Sequence, residues 1–196
     1  MCGFVGGTNP AWDYEAALSS IAHRGPDSRQ LLRASPVNVG FCRLAIIDLR
    51  DVANQPMLAD DGETWIAFNG EIYGYKAARA ELEREGQCFG TDSDTEVVLR
   101  AYLIWGDAFV EHLDGMFAIA IWDAHERKLK LFRDRPGIKP LFYYFDGRNF
   151  GFASELKALR IACRDNGLRK DETALFDFLT YRYIPAPKTL YHNCFK

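Results

Sequence analysis

The chain has 196 residues, of which 48% are hydrophobic and 26% are charged, which suits one soluble, well-filled domain with a short part of a second. The net charge is -3 and the 24 Lys and Arg residues are scattered, which argues against a nucleic-acid partner. Because no apolar run is long enough to cross a bilayer and no secretory leader begins the chain, a membrane or exported protein is not expected either.

The first half of the chain alternates strand-like and helix-like segments. Apolar residues recur with a helical period over 11–22. They do so again after Ser93, and Ser93 and Glu96 have the spacing of a capping box. Each of these patterns predicts a helix. Strands are predicted at 2–7, 28–34, 37–43, 44–48 and 66–69, and a further helix at 74–85.

The second half is rich in strands bounded by Gly, Asp or Pro. The run 116–122 is apolar at every position, which indicates a strand covered on both faces, because a half-exposed strand alternates. Short, Gly-containing connections favour antiparallel pairing. We therefore predict an α+β fold, a four-layer αββα sandwich of two antiparallel sheets between helix layers. The other strands are predicted at 129–132, 141–145 and 149–153.

The C-terminal part of the chain predicts a domain boundary. A helix is expected over 171–182, and the segment 183–187 is a Pro-rich connector. The chain then stops after the start of a further strand. We predict a first domain over residues 2–160, followed by a connector and the truncated start of a second domain over 161–196.

The use of cysteine indicates a reducing compartment. The five cysteines are odd in number and widely spaced, and no Cys-x-x-Cys pair occurs. Neither a disulfide framework nor a metal site is therefore expected. The predicted localisation is the cytoplasm.

Cys2 is the first candidate catalytic residue. A methionine before a small residue is a good substrate for aminopeptidase trimming, and loss of Met1 makes Cys2 the N-terminus. That residue then carries a thiol nucleophile and an α-amine that titrates at about 7.7–8.0, near enough to neutrality to act as a base. Position alone leaves open the alternative of a small buried hydrophobic residue.

A thiol that hydrolyses an amide needs hydrogen-bond donors for the oxyanion. Asn69-Gly70, at a predicted strand end and turn, offers an amide side chain and a backbone N–H, with a plain hairpin turn as the alternative. For a free amino acid as substrate, Arg43 suits the α-carboxylate and Asp94 the α-ammonium. The alternatives are a surface arginine with its stem packed on the protein and a charge at a helix N-terminus.

Nine motifs follow one another over nearly the whole chain: Cys2-Gly3, His23-Arg24-Gly25-Pro26-Asp27, Arg43-Leu44-Ala45-Ile46-Ile47-Asp48, Gln55-Pro56, Asn69-Gly70-Glu71-Ile72-Tyr73, Ser93-Asp94-Thr95-Glu96, and the segments 113–118, 133–141 and 154–159. In this order they resemble the glutaminase domain of class II glutamine amidotransferases, the N-terminal-nucleophile type. The closest resemblance is to the N-terminal half of glutamine-dependent asparagine synthetases.

The resemblance implies the αββα sandwich of the N-terminal-nucleophile hydrolases and the hydrolysis of L-glutamine to glutamate and ammonia. It implies that Cys2 forms a γ-glutamyl thioester and that its α-amine shuttles the proton. Asn69 and Gly70 would form the oxyanion hole, and Arg24 would support the site from a nearby loop.

The resemblance also assigns the substrate contacts. Arg43 would bind the carboxylate of glutamine and Asp94 its ammonium. Glu71 and the backbone of Ile46 and Ile47 would complete the pocket.

The resemblance further implies a second half that is absent here. The family's synthetase half carries a Ser-Gly-Gly-containing loop for the pyrophosphate of ATP, and the sequence contains neither this loop nor a Gly-x-x-x-x-Gly-Lys loop. No cofactor is expected in this chain, and ATP and Mg²⁺ are expected only in the missing synthetase domain or partner subunit. Residues 2–160 would be the glutamine amidotransferase type 2 domain, and 161–196 the connector and start of the synthetase domain.

Several alternatives stay open at this point. Aspartate is the default acceptor of the ammonia, which gives asparagine synthesis, and a sugar carboxylate in polysaccharide biosynthesis is the alternative. A non-catalytic regulatory module is disfavoured, because such a module has no chemical reason to retain Cys2, Arg43, Asn69 and Asp94 together. The sequence also leaves open whether the protein is a homodimer.

Overall fold

The computed structural model describes residues 1–164 and 168–196, and two antiparallel sheets form its centre. The strands are β1 (Gly3–Gly7), β2 (Ser28–Leu32), β3 (Asn38–Arg43), β4 (Met57–Leu58), β5 (Trp65–Tyr73), β6 (Asp114–Asp123), β7 (Lys128–Arg133), β8 (Phe142–Phe145), β9 (Phe150–Ala153) and β10 (Cys194–Phe195). The order in the six-stranded sheet is β10-β8-β9-β1-β3-β2, and in the four-stranded sheet it is β4-β5-β6-β7. The strands pair antiparallel in both sheets, as predicted.

The structure describes the α-helices α1 (Tyr14–Ser20), α2 (Tyr75–Arg84), α3 (Asp94–Trp105), α4 (Leu156–Ala162) and α5 (Glu172–Tyr181). The first four flank the two sheets. Helices α1 and α4 pack together on the six-stranded sheet, whereas α2 and α3 pack together beside the four-stranded sheet, with α3 against β5. Because the two sheets share a core between these helix pairs, the predicted four-layer αββα sandwich is confirmed.

The apolar run 116–122 has the burial that its sequence predicts. In β6, Ile119 belongs to the core shared with α3, whereas Ala118 and Ala120 belong to the core between the two sheets. Phe4 of β1 lies in the same inter-sheet core. The strand is therefore covered on both faces, and the absence of polar alternation follows from that position.

The prediction of a strand over 44–48 is wrong. The chain leaves β3 after Arg43, and the structure assigns no strand to these residues. The backbone N–H groups of Leu44 and Ala45 donate to the Cys2 sulfur and the Asp27 carboxylate. Such bonds to side chains replace the ladder that a strand requires.

The placement of Asn69 and Gly70 at a strand end and turn is also wrong, because both lie inside β5. Asn69 pairs with Ala118 and Gly70 with Phe117 of β6. A Cβ at Gly70 would lie 2.5 Å from the carbonyl oxygen of Met116. Glycine is required here for the close approach of two strands and not for a turn.

Helix α3 begins at the predicted cap, but half of the capping box is missing. The Ser93 hydroxyl accepts from the N–H of Thr95. The Glu96 carboxylate accepts from the N–H groups of Gly90 and Thr91 and not from that of Ser93, which donates to the Thr91 hydroxyl. Glu96 therefore ties the preceding loop to α3.

The C-terminal segment adds an edge strand. Strand β10 pairs with β8, so Cys194 and Phe195 belong to the same sheet as β1. The division into residues 2–160 and 161–196 stays a prediction, and 165–167 lie outside the described residues. Within the described ranges, no helix is both long and apolar enough to cross a bilayer.

Candidate active site

A cavity of about 650 Å³ lies where the N-terminus, the end of β3, the middle of β5 and the start of α3 meet. The volume is in the range of small-molecule sites. Its lining includes the residues that the sequence predicts to be catalytic or to contact the substrate, namely Cys2, Arg43, Ile46, Ile47, Asn69, Gly70, Glu71 and Asp94. The fold thus brings together residues from four separate segments of the chain.

Cys2 precedes β1, and its sulfur lies against the backbone of Leu44. The Leu44 N–H donates to the Cys2 sulfur at 3.3 Å, and the thiol is 3.6 Å from the Leu44 carbonyl oxygen. Burial raises the pKa of the Cys2 thiol, and the backbone bond to Leu44 opposes that rise. A thiol that keeps its proton at neutral pH needs a neighbouring base to become a nucleophile.

Asn69 contributes a buried donor to the same cavity. The residue is 1% exposed, and its Nδ2 has no hydrogen-bond partner among the residues that the structure describes. An unpaired buried amide costs roughly 1–3 kcal/mol. The amide is therefore suited to an acceptor that only a ligand brings.

Arg43 ends β3 and is held by the loop that follows it. Its Nη1 donates to the Arg50 carbonyl at 3.2 Å and to the Asn54 side-chain oxygen at 2.9 Å. Its Nη2 donates to the Asp48 carbonyl. These bonds use three of the five N–H donors of the guanidinium, so two remain for a ligand carboxylate.

The Asp48 carboxylate fastens that loop to the start of α3. It accepts from the backbone and side chain of Arg50 and from the backbone N–H of Asp92. These hydrogen bonds, first of all those from the Arg50 side chain, hold the pKa of Asp48 well below its usual range. The loop that holds Arg43 is therefore itself fixed by a charged contact.

Asp94 is the first residue of α3 and is 6% exposed. Its Oδ2 accepts from the backbone N–H of Ile72 at 3.3 Å. Burial raises the pKa of Asp94 to about 6, and the negative charge of Glu71 contributes to the rise. A carboxylate whose charged form is disfavoured in this way gains stability from a cationic group on a ligand.

Arg24 lies behind Cys2 and outside the cavity lining. Its Nε donates to the Cys2 carbonyl oxygen at 2.8 Å, and its Nη1 is 3.1 Å from the Glu155 carboxylate. The side chain therefore contacts the backbone of the candidate nucleophile and not the space in which a ligand fits.

The cavity wall also contains residues for which the sequence predicts no role, namely Met1, Leu44, Asp48, Gln55, Phe68, Ser93, Thr95, Met116, Ile138 and Lys139. Most of these residues belong to the nine sequence motifs, and that membership is the signal by which they could have been found. Gln55 joins β5 to α3, because its amide bonds both backbone groups of Phe68 and the hydroxyl of Thr95. Lys139 is 6% exposed, and its Nζ lies 3.6 Å from the sulfur of Met1.

Charges of both signs line the cavity. Arg43 and Lys139 are cationic, whereas Glu71 and Asp94 are acidic. A ligand that carries both a carboxylate and an ammonium matches this lining. In the part of the chain that the structure describes, no group of three or more His, Cys, Asp or Glu could hold a metal ion.

Comparison with known proteins decides the family. The glutamine amidotransferase domain family matches residues 1–196. The chain belongs to the glutamine amidotransferase family. Glutamine-hydrolyzing asparagine synthetase 1 of Bacillus subtilis is 41% identical over 97% of the chain. A putative asparagine synthetase of Methanocaldococcus jannaschii is 34% identical over 90% of it. The chain spans 31% and 38% of these two relatives, or about a third of their length.

A solved structure supports the fold. Glutamine phosphoribosylpyrophosphate amidotransferase from B. subtilis, complexed with ADP and GMP, superposes with a TM-score of 0.70 at 22% identity. The match covers 82% of this chain and 43% of that one. At this identity the likeness concerns the fold alone, and it confirms the predicted αββα sandwich. The roles predicted for single side chains stay predictions.

Proposed function

We propose that this chain hydrolyses L-glutamine to glutamate and ammonia, with Cys2 as the nucleophile. The observation that carries the proposal is that Cys2 lines one cavity with the buried amide of Asn69, which has no hydrogen-bond partner among the described residues. Attack of a thiol on an amide puts negative charge on the carbonyl oxygen, and a preorganised N–H donor stabilises that charge. The names of the relatives, which include glutamine hydrolysis, support glutamine as the substrate.

The α-amine of Cys2 is the proposed base, which requires the loss of Met1. It takes the thiol proton as the sulfur attacks the side-chain amide carbon of glutamine. It then gives that proton to the departing ammonia, and a γ-glutamyl thioester remains. Water hydrolyses the thioester with the same amine as base. The raised pKa of the buried thiol supports this assignment, because such a thiol needs a base beside it.

The proposed substrate contacts follow from the charges of the cavity. Arg43 binds the α-carboxylate with its two remaining donors, and Asp94 pairs with the α-ammonium beside Glu71. The backbone of Ile46 and Ile47 completes the pocket. The raised pKa of Asp94 supports its part, because a ligand ammonium relieves the cost of a buried carboxylate.

The proposed destination of the ammonia is an ATP-dependent synthetase half, outside these 196 residues. The two relatives from B. subtilis and M. jannaschii are about three times as long as the chain and are named asparagine synthetases. Aspartate is therefore the proposed acceptor, and ATP and Mg²⁺ belong to that half. The hydrolysis proposed for this chain uses no cofactor, and its proposed location is the cytoplasm.

An exposed apolar face on α5 and just beyond it supports such a partner. Phe176, Leu179 and Tyr183 are 69%, 65% and 61% exposed. Large apolar side chains exposed together mark a surface that another domain or chain covers. The synthetase half is the proposed occupant. A second copy is the alternative, and the mass of the purified chain measured by light scattering distinguishes a monomer from a homodimer.

The test of the function is intact mass before and after exposure to a diazoketone that mimics glutamine. We expect loss of Met1 and a single adduct on Cys2, together with ammonia release from glutamine. Cys2→Ser should take up no adduct. Cys88→Ser, which removes an exposed cysteine, should still take up one. A processed chain that takes up no adduct and releases no ammonia would favour the regulatory-module alternative.

A further inference from the structure

The side chain of Glu155 does not cap the helix that it precedes. Glu155 is the N-cap of α4, yet its carboxylate makes no capping hydrogen bond. Shorter side chains such as Ser or Asp are favoured at this position, because they reach the free N–H groups of the first turn. The carboxylate at position 155 is therefore directed to other partners.

Those partners are Arg24, Lys157 and His23, and the most buried of them is Arg24. One carboxylate oxygen of Glu155 is 3.1 Å from Arg24 Nη1 and 2.9 Å from His23 Nε2, and the other is 3.0 Å from Lys157 Nζ. The side chains of Arg24 and Glu155 are 10% and 22% exposed. The pair is therefore shielded from water, and loss of the carboxylate would leave a buried cation without its counter-ion.

Arg24 in turn holds the backbone of Cys2. Its Nε donates to the Cys2 carbonyl oxygen at 2.8 Å. The arginine lies so close to the chain that a Cβ on Gly3 would be 2.7 Å from its Cδ and 2.9 Å from its Nε. The orientation of the Cys2 carbonyl and the directions of its α-amine and thiol are linked through one residue's backbone, so this bond restrains both groups.

We propose that Glu155 is a positioning residue for glutamine hydrolysis, which acts through Arg24 to hold Cys2 in its reactive orientation. This inference rests on the proposed role of Cys2 as the nucleophile. Three motifs that are distant in sequence, at 2–3, 23–27 and 154–159, meet in this contact. The Nη2 of Arg24 has no partner among the described residues, so the guanidinium has few other bonds to keep it in place.

The first test is Glu155→Gln, which keeps the size of the side chain and removes its charge. We expect kcat to fall at least about tenfold with KM changed less than about twofold, because misalignment affects the chemical step while the substrate contacts stay. The matched control is Glu15→Gln, since Glu15 also bridges two cationic side chains, but these are Arg29 and Arg33, neither of which lines the cavity. Its kcat and KM should not change. An unchanged kcat in Glu155→Gln, or a rise in KM alone, would overturn the proposal.

A double-mutant cycle tests the route through Arg24. Arg24→Lys should lower kcat when residue 155 is Glu but cause little further loss when it is Gln, because both changes break one chain of contacts. Losses that multiply would overturn the route. Glu155→Ser protects the test against loss of α4, because serine is a favoured N-cap. It should show the same kcat defect, and its thermal unfolding temperature should be no lower than that of Glu155→Gln, because the serine cap offsets part of the loss of the ion pair.

Alkylation of Cys2 by iodoacetamide separates this inference from the proposed function, because it needs no glutamine. In a Cys88→Ser background, the pH profile of Cys2 alkylation should shift by about half a pH unit or more in Glu155→Gln. Identical profiles would overturn the inference. If the unmodified chain hydrolyses no glutamine, the proposed function is wrong, and the alkylation profiles still decide whether Glu155 acts on Cys2.

Discussion

The backbone N–H of Leu44 donates to the sulfur of Cys2 at 3.3 Å, and this bond joins the residue before β1 to the residue after β3. The two strands pair antiparallel with Gly3 opposite Cys42. One step further along the same register brings Cys2 opposite Arg43. The strand pairing therefore places the candidate nucleophile beside the guanidinium proposed to bind the substrate.

Replacement of the thiol tests the nucleophile. Cys2→Ser should fold as the unmodified chain does but lose most glutamine hydrolysis, because a serine hydroxyl is a poor nucleophile without a strong base. Ammonia release and thermal unfolding measure the two properties. Cys88→Ser is the control, since Cys88 is exposed and does not line the cavity. Hydrolysis at the parental rate by Cys2→Ser would contradict the mechanism.

Removal of the Asn69 amide tests the oxyanion hole. Asn69→Ala should lower kcat by about 10²–10³-fold, the range found when one such donor is lost. The free energy of unfolding should not fall by more than about 1 kcal/mol, because the Nδ2 makes no hydrogen bond among the described residues and its removal relieves the cost of burying it. Steady-state kinetics and urea denaturation measure the two effects. A kcat within about threefold of the parental value would remove Asn69 from the chemistry.

Much of the layering could be predicted from local pattern, whereas the position of the oxyanion residues could not. The uninterrupted apolar run of β6 predicts burial on both faces, and the structure confirms it. Asn69-Gly70 carries a local turn signal, but pairing with β6 extends the strand through both residues. The steric need for glycine at position 70 comes partly from the ring of Phe68 and partly from Met116 and Phe117, which are distant in sequence.

The residues of the candidate site could be predicted from the sequence, but most of the contacts between them could not. Cys2, Arg43, Asn69 and Asp94 could be named because their chemistry suits an amino-acid amide. The contact of Leu44 with the Cys2 sulfur depends on the pairing of β1 with β3, and local sequence patterns do not predict which strands pair. The contacts of Glu96 and Glu155 could not be predicted either. Both carboxylates lie near the start of a helix, but neither bonds a backbone group there: Glu96 bonds the preceding loop and Glu155 bonds Arg24.

A Cβ at position 70 tests the close approach of β5 and β6. Gly70→Ala should lower the free energy of unfolding by about 1–3 kcal/mol, because the added methyl group would lie 2.5 Å from the Met116 carbonyl oxygen. Urea denaturation measures this loss. Gly90→Ala is the matched control, since a Cβ there meets nothing within 4 Å, and it should change stability by less than about 0.5 kcal/mol. Equal effects of the two substitutions would contradict the steric argument.

Substrate affinity should depend on pH through Asp94. Its pKa is raised to about 6 in the free protein, and a bound ammonium favours the charged carboxylate, so binding lowers that pKa. Glutamine affinity should therefore be nearly independent of pH at about pH 7, where the carboxylate is already charged. Below pH 6 the carboxylate must first lose a proton, so the affinity should fall by a factor that approaches tenfold per pH unit. Titration calorimetry with Cys2→Ser measures the dissociation constant without turnover.

The matched variant for this experiment is Asp94→Asn in the same Cys2→Ser background. It keeps the shape of the side chain and cannot ionise, so the fall in affinity below pH 6 should disappear. At pH 7 it should bind glutamine more weakly by roughly 1.5–3 kcal/mol, the range for a hydrogen bond to a charged group. If Asp94→Asn keeps the parental pH dependence, another acid carries the proton. If its affinity at pH 7 is also parental, Asp94 does not contact the ammonium of glutamine.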